Sequence, residues 1–295
     1  MTPDISEFSY GFALTNELVG WMALSAVPIF PSLIEEGKAS GGYDVKLDRP
    51  GVPLYIQFKR SNVMTRRSAD EIKNLALPLD LPFHRFYITE RNRSLQHASL
   101  VALDDGVNEV YYAAPRFHTL AGINSAWASK TVMQRSIFIR PSQIGPINDD
   151  LQHRVSFDDS VTYFCSEPKS IVALSIEDIR GRVTEKLQMD PTPVRDKLAD
   201  WSQRLEQSVE RARAASDALD FSSINAGRSE SRSALPGQGI VPTSLTYRGL
   251  ASSTLSAPSF VRPAKALLPE QDSLRRLSDA AQSEFNAQLI VMQPI

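Results

Sequence analysis

A chain of 295 residues with 42% hydrophobic residues is long enough for one large or two modest globular domains, and its formal net charge of −2 gives no overall basic field. The single cysteine, Cys165, excludes an intramolecular disulfide and a cysteine-rich zinc site, and it fits a reducing, cytoplasmic setting. No run approaches ~18 uninterrupted apolar residues, so no membrane span is expected, and the first residues lack the pattern of a signal peptide.

Ser6 can cap a first helix, expected over about 5–27 and ended by Pro28. Phe8, Phe12, Thr15 and Val19, with Leu14 and Leu18 beside them, repeat near 3.6 residues. A β-hairpin is expected over about 43–60. Its turn is Asp48-Arg49-Pro50-Gly51, where Pro50 fixes φ and Gly51 allows a positive one. In its second strand Leu54, Ile56 and Phe58 share a face expected to be buried. Tyr55, Gln57 and Lys59 share the other. Asp44 enters the first strand behind Gly41-Gly42, which lets backbone or a ligand approach closely.

Ser68 to Glu71 has the capping-box pattern at the start of a helix expected over about 68–76. Strands are expected at His84–Thr89, Glu109–Ala114 and Ser136–Ile139, and a closing pair at His153–Phe157 and Val161–Cys165. Between and after them, Leu95–Leu103, Leu120–Met133, Ile176–Leu187 and Val194–Leu219 read as helices. Strands alternating with helices imply an α/β core around a mixed sheet. Leu198, Trp201, Leu205 and Val209 form a stripe that packs on its own domain or on a partner helix. Ser, Gly, Pro and Ala dominate 221–263, which reads as a linker. A last helix is expected over about 269–291, carrying Leu274, Leu277, Ala281, Phe285 and Leu289.

The hairpin carries the chemistry. Mg²⁺ prefers hard oxygen ligands, which Asp44, the Gln57 amide and the Phe58 backbone carbonyl can supply. Such an ion polarises a phosphoryl oxygen and lowers the pKa of its bound water. Lys59 would orient or help deprotonate that water and offset charge on phosphorus. The same residue types also suit the wet face of an ordinary hairpin. Arg60, Arg66 and Arg67 suit either phosphate contacts or a solvated basic loop. Other chemistries lack their signatures. There is no Gly-x-Ser-x-Gly elbow, no Walker A loop and no Gly-x-Gly-x-x-Gly, and His84, His97, His118 and His153 show no close metal spacing.

This layout resembles the PD-(D/E)xK nuclease superfamily, with its restriction-endonuclease-like fold, in the Gln-x-Lys variant of Mrr-type restriction enzymes and archaeal Holliday-junction resolvases. The resemblance implies a helix before the hairpin that carries a Glu. Glu17 stands at that place and Glu7 competes for it. The core quartet then maps onto Glu17 (or Glu7), Asp44, Gln57 and Lys59, with the metal held by Asp44, Gln57 and Glu17. Tyr43 stands where the superfamily commonly has Pro, and Gln57 replaces the usual acid, removing one negative charge from the site.

The activity implied by the resemblance is that of a Mg²⁺- (or Mn²⁺-) dependent nuclease, DNA favoured, of the kind used in bacterial restriction or antiphage defence. The alternative is a subunit that keeps the fold, has lost catalysis, and binds partners or nucleic acid. The expected organisation is a nuclease-like domain over 1–170, a helical extension over 171–220, a linker over 221–263 and a C-terminal helix over 264–295. That helix is expected to dock on another chain or back on its own, a protein partner or a second copy being favoured because the linker gives it reach.

Overall fold

The computed structural model of the chain describes residues 1–19, 24–29, 46–230 and 269–294. In chain order they form α1 (Glu7–Val19), β1 (Leu24–Ile29), β2 (Val52–Phe58), β3 (Asn62–Met64), α2 (Asp70–Lys73), β4 (Phe83–Ile88), α3 (Gln96–Leu103), β5 (Glu109–Pro115) and α4 (Leu120–Ala128). Then come β6 (Ser136–Ile139), α5 (Pro141–Ile144), β7 (His153–Phe157), β8 (Thr162–Phe164), β9 (Lys169–Ser170), α6 (Ile176–Met189), α7 (Val194–Glu230), α8 (Pro269–Phe285) and β10 (Gln288–Pro294).

Two five-stranded sheets result. The first is mixed, in the order β1-β10-β2-β5-β6, and the second runs β3-β4-β7-β8-β9 with every neighbour antiparallel. Only β2 and β5 run parallel, and α3 lies in the connection between them. The first sheet is covered on both faces, and its strands are accordingly near-continuous apolar runs. In β5, Tyr111 and Ala113 point into one core with α1, α4 and α6, while Val110, Tyr112 and Ala114 point into the other with α3, α7 and α8. In β10, Ile290 and Met292 take the first side and Leu289 and Val291 the second. The fold is thus α/β, with helices flanking the mixed sheet.

Local chemistry sets the helix starts. The Ser6 hydroxyl accepts from the Ser9 N–H at 2.9 Å, so Ser6 caps α1 as the sequence suggests. Thr119 caps α4 through the Gly122 N–H, and Ser175 and Asp178 form a reciprocal capping box on α6. Gly11 lets α1 lie directly on β2, since a Cβ there would stand 2.7 Å from the Phe58 ring.

Several expectations are corrected. The expected hairpin does not form. Residues 46–49 make a turn closed by Arg49 N–H to the Lys46 carbonyl, and both edges of β2 are taken, by β10 and β5. The alternation of β2 is as expected, but neither face is wet, because helices cover both. Pro28 does not end a long first helix. It lies inside β1, opposite Ile290. Glu71 is no capping residue. Its enclosed carboxylate binds Arg85 at 3.1 Å, Arg154 at 3.0 Å and the Ser156 hydroxyl at 3.0 Å, which ties α2 to the second sheet.

The C-terminal segment differs most. The expected last helix stops at Phe285, and Gln288–Pro294 becomes a strand in the interior of the first sheet. Leu274, Leu277, Ala281 and Phe285 pack in the same core as the Leu198, Trp201, Leu205 and Val209 stripe of α7. Of the two expected coverings of that stripe, its own domain or a partner helix, the structure has the first. Of the expected linker, 221–230 continues α7, and 231–263 lies outside the described residues. Asp44, with Gly41 and Gly42, also lies outside them. Among the described residues no helix is long and apolar enough to cross a membrane.

Candidate active site

The parallel pair β2–β5 sets Gln57 beside Tyr112 and Phe58 beside Ala113. Just past β2, the Lys59 N–H donates to the Ala113 carbonyl at 2.8 Å, holding Lys59 in strand geometry at the carboxyl end of the pair. Ligands in α/β sheets favour this end of parallel strands. Gln57 and Lys59 face the α3 side of the sheet, as the alternation from Tyr55 requires.

Both polar side chains are enclosed, at 1% and 8% exposure. The Gln57 amide donates to the Gln96 side-chain oxygen at 3.0 Å, at the first residue of α3. That bond orients the amide and leaves its own oxygen free to accept. The Lys59 ammonium lies 5.5 Å from the centre of the Tyr112 ring. Among the described residues no carboxylate lies within ion-pairing distance of it. Burial pushes its pKa down, and the field of Glu7 opposes that shift.

Behind the ring the polar chain continues. The Gly145 carbonyl can only accept, so His97 Nε2 carries the proton and donates to it at 2.8 Å. His97 Nδ1 then accepts from the Tyr112 hydroxyl at 2.8 Å. This tautomer is neutral, and burial lowers the His97 pKa to about 4. Lys59, Tyr112, His97 and Gly145 therefore form one ordered line from the strand end into the fold.

The two candidate acids of α1 separate clearly. The Glu17 carboxylate accepts from the N–H groups of Val132 and Met133 at 2.8 and 2.9 Å, tethering α1 to the segment after α4. Ten residues at ~1.5 Å each put it about 15 Å along the helix from Glu7. Glu7, in the first turn, is the acid whose charge acts on Lys59. Of the two, Glu7 is the one with an electrostatic link to Lys59. The Glu17 carboxylate is engaged by two backbone donors.

Arg60, Arg66 and Arg67 are exposed, and none makes an ion pair among the described residues. Among the described residues no three His, Cys, Asp or Glu side chains gather as a metal-binding group. The described oxygen donors near Lys59, Gln57 and Glu7, do not by themselves make a Mg²⁺ site.

Sequence reasoning missed Gln96, His97 and Tyr112 as parts of this site. Tyr112 lies within the strand expected at Glu109–Ala114, and no local signal links it to Lys59. The link depends on a parallel pairing between strands far apart in the chain. Comparison with protein-family models, with curated proteins and with solved structures gives no match.

Proposed function

We propose that the chain is a metal-dependent nuclease that hydrolyses phosphodiester bonds, DNA favoured, on a restriction-endonuclease-like variant of the α/β fold. One observation carries this reading. Lys59 is a buried cation with no carboxylate partner among the described residues, at the carboxyl end of a parallel strand pair. Buried charges kept only for structure are normally paired, and perturbed unpaired ones cluster where a ligand supplies the counter-charge. A phosphate is a counter-ion of the right sign and geometry.

In this reading Asp44 and the Gln57 amide oxygen would hold Mg²⁺ or Mn²⁺, while Glu7, on the helix that covers the other face of the sheet, would act through its charge on Lys59. Such an ion, when bound, polarises a phosphoryl oxygen and acidifies its water. Lys59, with its lowered pKa, donates a hydrogen bond to the reacting phosphate or takes a proton from the attacking water. Tyr112 and His97 hold the Lys59 stem and ring contact in place. Arg60, Arg66 and Arg67 meet the backbone phosphates beyond the strand. Bacterial restriction or antiphage defence in the cytoplasm is the setting that suits such an enzyme.

The test is cleavage of plasmid and short duplex DNA with Mg²⁺ or Mn²⁺ by the full chain and by Lys59→Ala, Asp44→Ala and Glu7→Gln. Loss of about 10²-fold or more in Lys59→Ala, with unchanged circular dichroism, is expected. Undiminished cleavage by Lys59→Ala ends the proposal. A second reading, a non-catalytic subunit that binds nucleic acid, is favoured by the engagement of Glu17 with backbone amides and by Gln57 in the place of an acid. It expects oligonucleotide binding that depends on Lys59, with no cleavage under either ion.

A further inference from the structure

Two arginines and two histidines converge beyond the carboxyl end of β5, the strand that runs parallel to β2. Tyr10 stands edge-on to Phe58 at 5.8 Å and to Phe117 at 6.0 Å, which ties the residue before Lys59 to the segment that carries Arg116 and His118. Arg116 and His118 lie just past β5, and Arg135 precedes β6. The Arg116 N–H donates to the Arg135 carbonyl at 2.7 Å, which fixes these two residues side by side. The Arg135 guanidinium lies 5.3 Å over the Phe117 ring. His84, early in β4, pairs in register with Phe157 and stacks on it at 5.7 Å. Two residues past Phe157, Asp159 reaches Arg116 at 3.4 Å and closes the circle. Strands from both sheets thus deliver four basic residues to one surface.

Their counter-charge is thin. Asp159 is the one carboxylate in ion-pair contact with any of the four among the described residues, and its side chain is 95% exposed. Such a pair contributes little. The neighbouring Asp158 carboxylate is engaged by the N–H groups of Asp80, Ser160 and Val161. Arg116 Nε is buried and lacks a hydrogen-bond partner among the described residues, since the Asp159 contact is an ion pair without hydrogen-bond geometry. His84 also feels the mutual crowding, since His118, Arg116 and Arg135 add to burial in lowering its pKa to about 4.

We propose that Arg116, Arg135, His84 and His118 form a phosphodiester-binding patch that holds a nucleic-acid strand beside the Lys59 end of β2, with Asp159 as the carboxylate an incoming phosphate displaces. The choice of nucleic acid as the polyanion rests on the function proposed above. Two guanidinium groups on adjacent backbones match phosphate oxygens in fork geometry. Arg60 lies just past β2, and the exposed Arg66 and Arg67 come after β3 as further cations for the same polyanion.

The experiment is fluorescence anisotropy of labelled single-stranded and duplex DNA with the full chain in EDTA, over a salt series. The Arg116→Gln/Arg135→Gln double variant is expected to bind about 10-fold or more weakly, and its salt slope to fall by about 1.4–1.8 for two lost phosphate contacts. Asp159→Asn, at an exposed position that folding tolerates, is expected to bind about 2- to 5-fold more tightly. Unchanged affinity and slope in the double variant, or weaker binding by Asp159→Asn, overturns the patch. If the double variant binds like the parent while Lys59→Ala abolishes cleavage, the patch falls and the nuclease reading stands. If the parent binds no oligonucleotide in EDTA the patch falls, and cleavage with Mg²⁺ or Mn²⁺ decides the nuclease reading separately.

Discussion

Lys59 and Tyr112 face each other across the parallel strands β2 and β5, the ammonium 5.5 Å from the ring centre. The ring face offers a cation some attraction, but far less than the water it replaces. The depressed pKa of Lys59 is the residue of that deficit.

Lys59→Met tests the deficit directly. Between the lowered folded-state pKa and the unfolded value near ~10.4, the unfolded chain binds more protons. Stability therefore rises with pH through that window, and the penalty is complete below the folded-state pKa. Methionine keeps most of the volume and the ring contact without the charge. At neutral pH the variant is expected to gain on the order of 1 kcal/mol in urea unfolding, and to lose the parent's alkaline rise. A less stable variant would mean that the ammonium has a partner strong enough to offset its burial.

Glu17→Ala and Glu7→Gln should part company. Glu17→Ala removes the acceptor of two backbone N–H groups and is expected to cost about 2–3 kcal/mol. Glu7→Gln is expected to leave stability within about 0.5 kcal/mol while removing the carboxylate that supports the Lys59 charge, so the cleavage rate falls. Thermal denaturation and cleavage, measured on the same preparations, decide this. Equal stability losses would contradict the division of roles.

His97 supplies an acid-side signature. Its folded-state pKa of about 4 lies below the unfolded ~6.5. As pH falls from ~6.5 to 4 the unfolded chain takes up a proton that the folded chain refuses, so stability falls through that window and levels off below it. For so enclosed a ring the loss is on the order of 2–3 kcal/mol. His97→Gln is expected to flatten that part of the curve. Denaturant midpoints at pH 4, 5, 6 and 7 for parent and variant measure it, and parallel curves would rule out a neutral, buried His97.

A chain ending at Phe285 is expected not to fold. Leu289, Ile290, Val291 and Met292 are at most 1% exposed. At about 1.5–3 kcal/mol for each buried side chain, they match the ~5–15 kcal/mol net stability of a typical domain. The truncation also leaves unpaired edges on β1 and β2. Near-ultraviolet circular dichroism and the loss of a cooperative thermal transition are the readouts. A transition within a few degrees of the parent would show that β10 is dispensable.

Elements whose signals are local were legible. Ser136–Ile139, closed by Arg140-Pro141, is β6 to the residue, and the pair at 153–165 forms β7 and β8. Pairing partners were not. The turn at Asp48–Gly51 is a sound local signal, yet a turn says nothing about which strand will lie beside β2. Leu289 continued the helical spacing of α8 by coincidence of period. The break falls at Asn286, whose φ of 47° turns the chain from helix to strand. For the site, the strand alternation did put Gln57 and Lys59 together. Helical periodicity alone could not tell whether Glu17 faced a ligand or two amides, because both need a carboxylate on the inner side of α1.

The position of β10 also governs when this protein can become itself. Lys59 leaves the ribosome more than two hundred residues before Leu289 does. At the usual ~5–20 residues per second, that is roughly ten to forty-five seconds of synthesis. Throughout that interval the first sheet lacks the strand that joins β1 to β2, a geometry that leaves both edges open to foreign strands and calls for chaperone shelter.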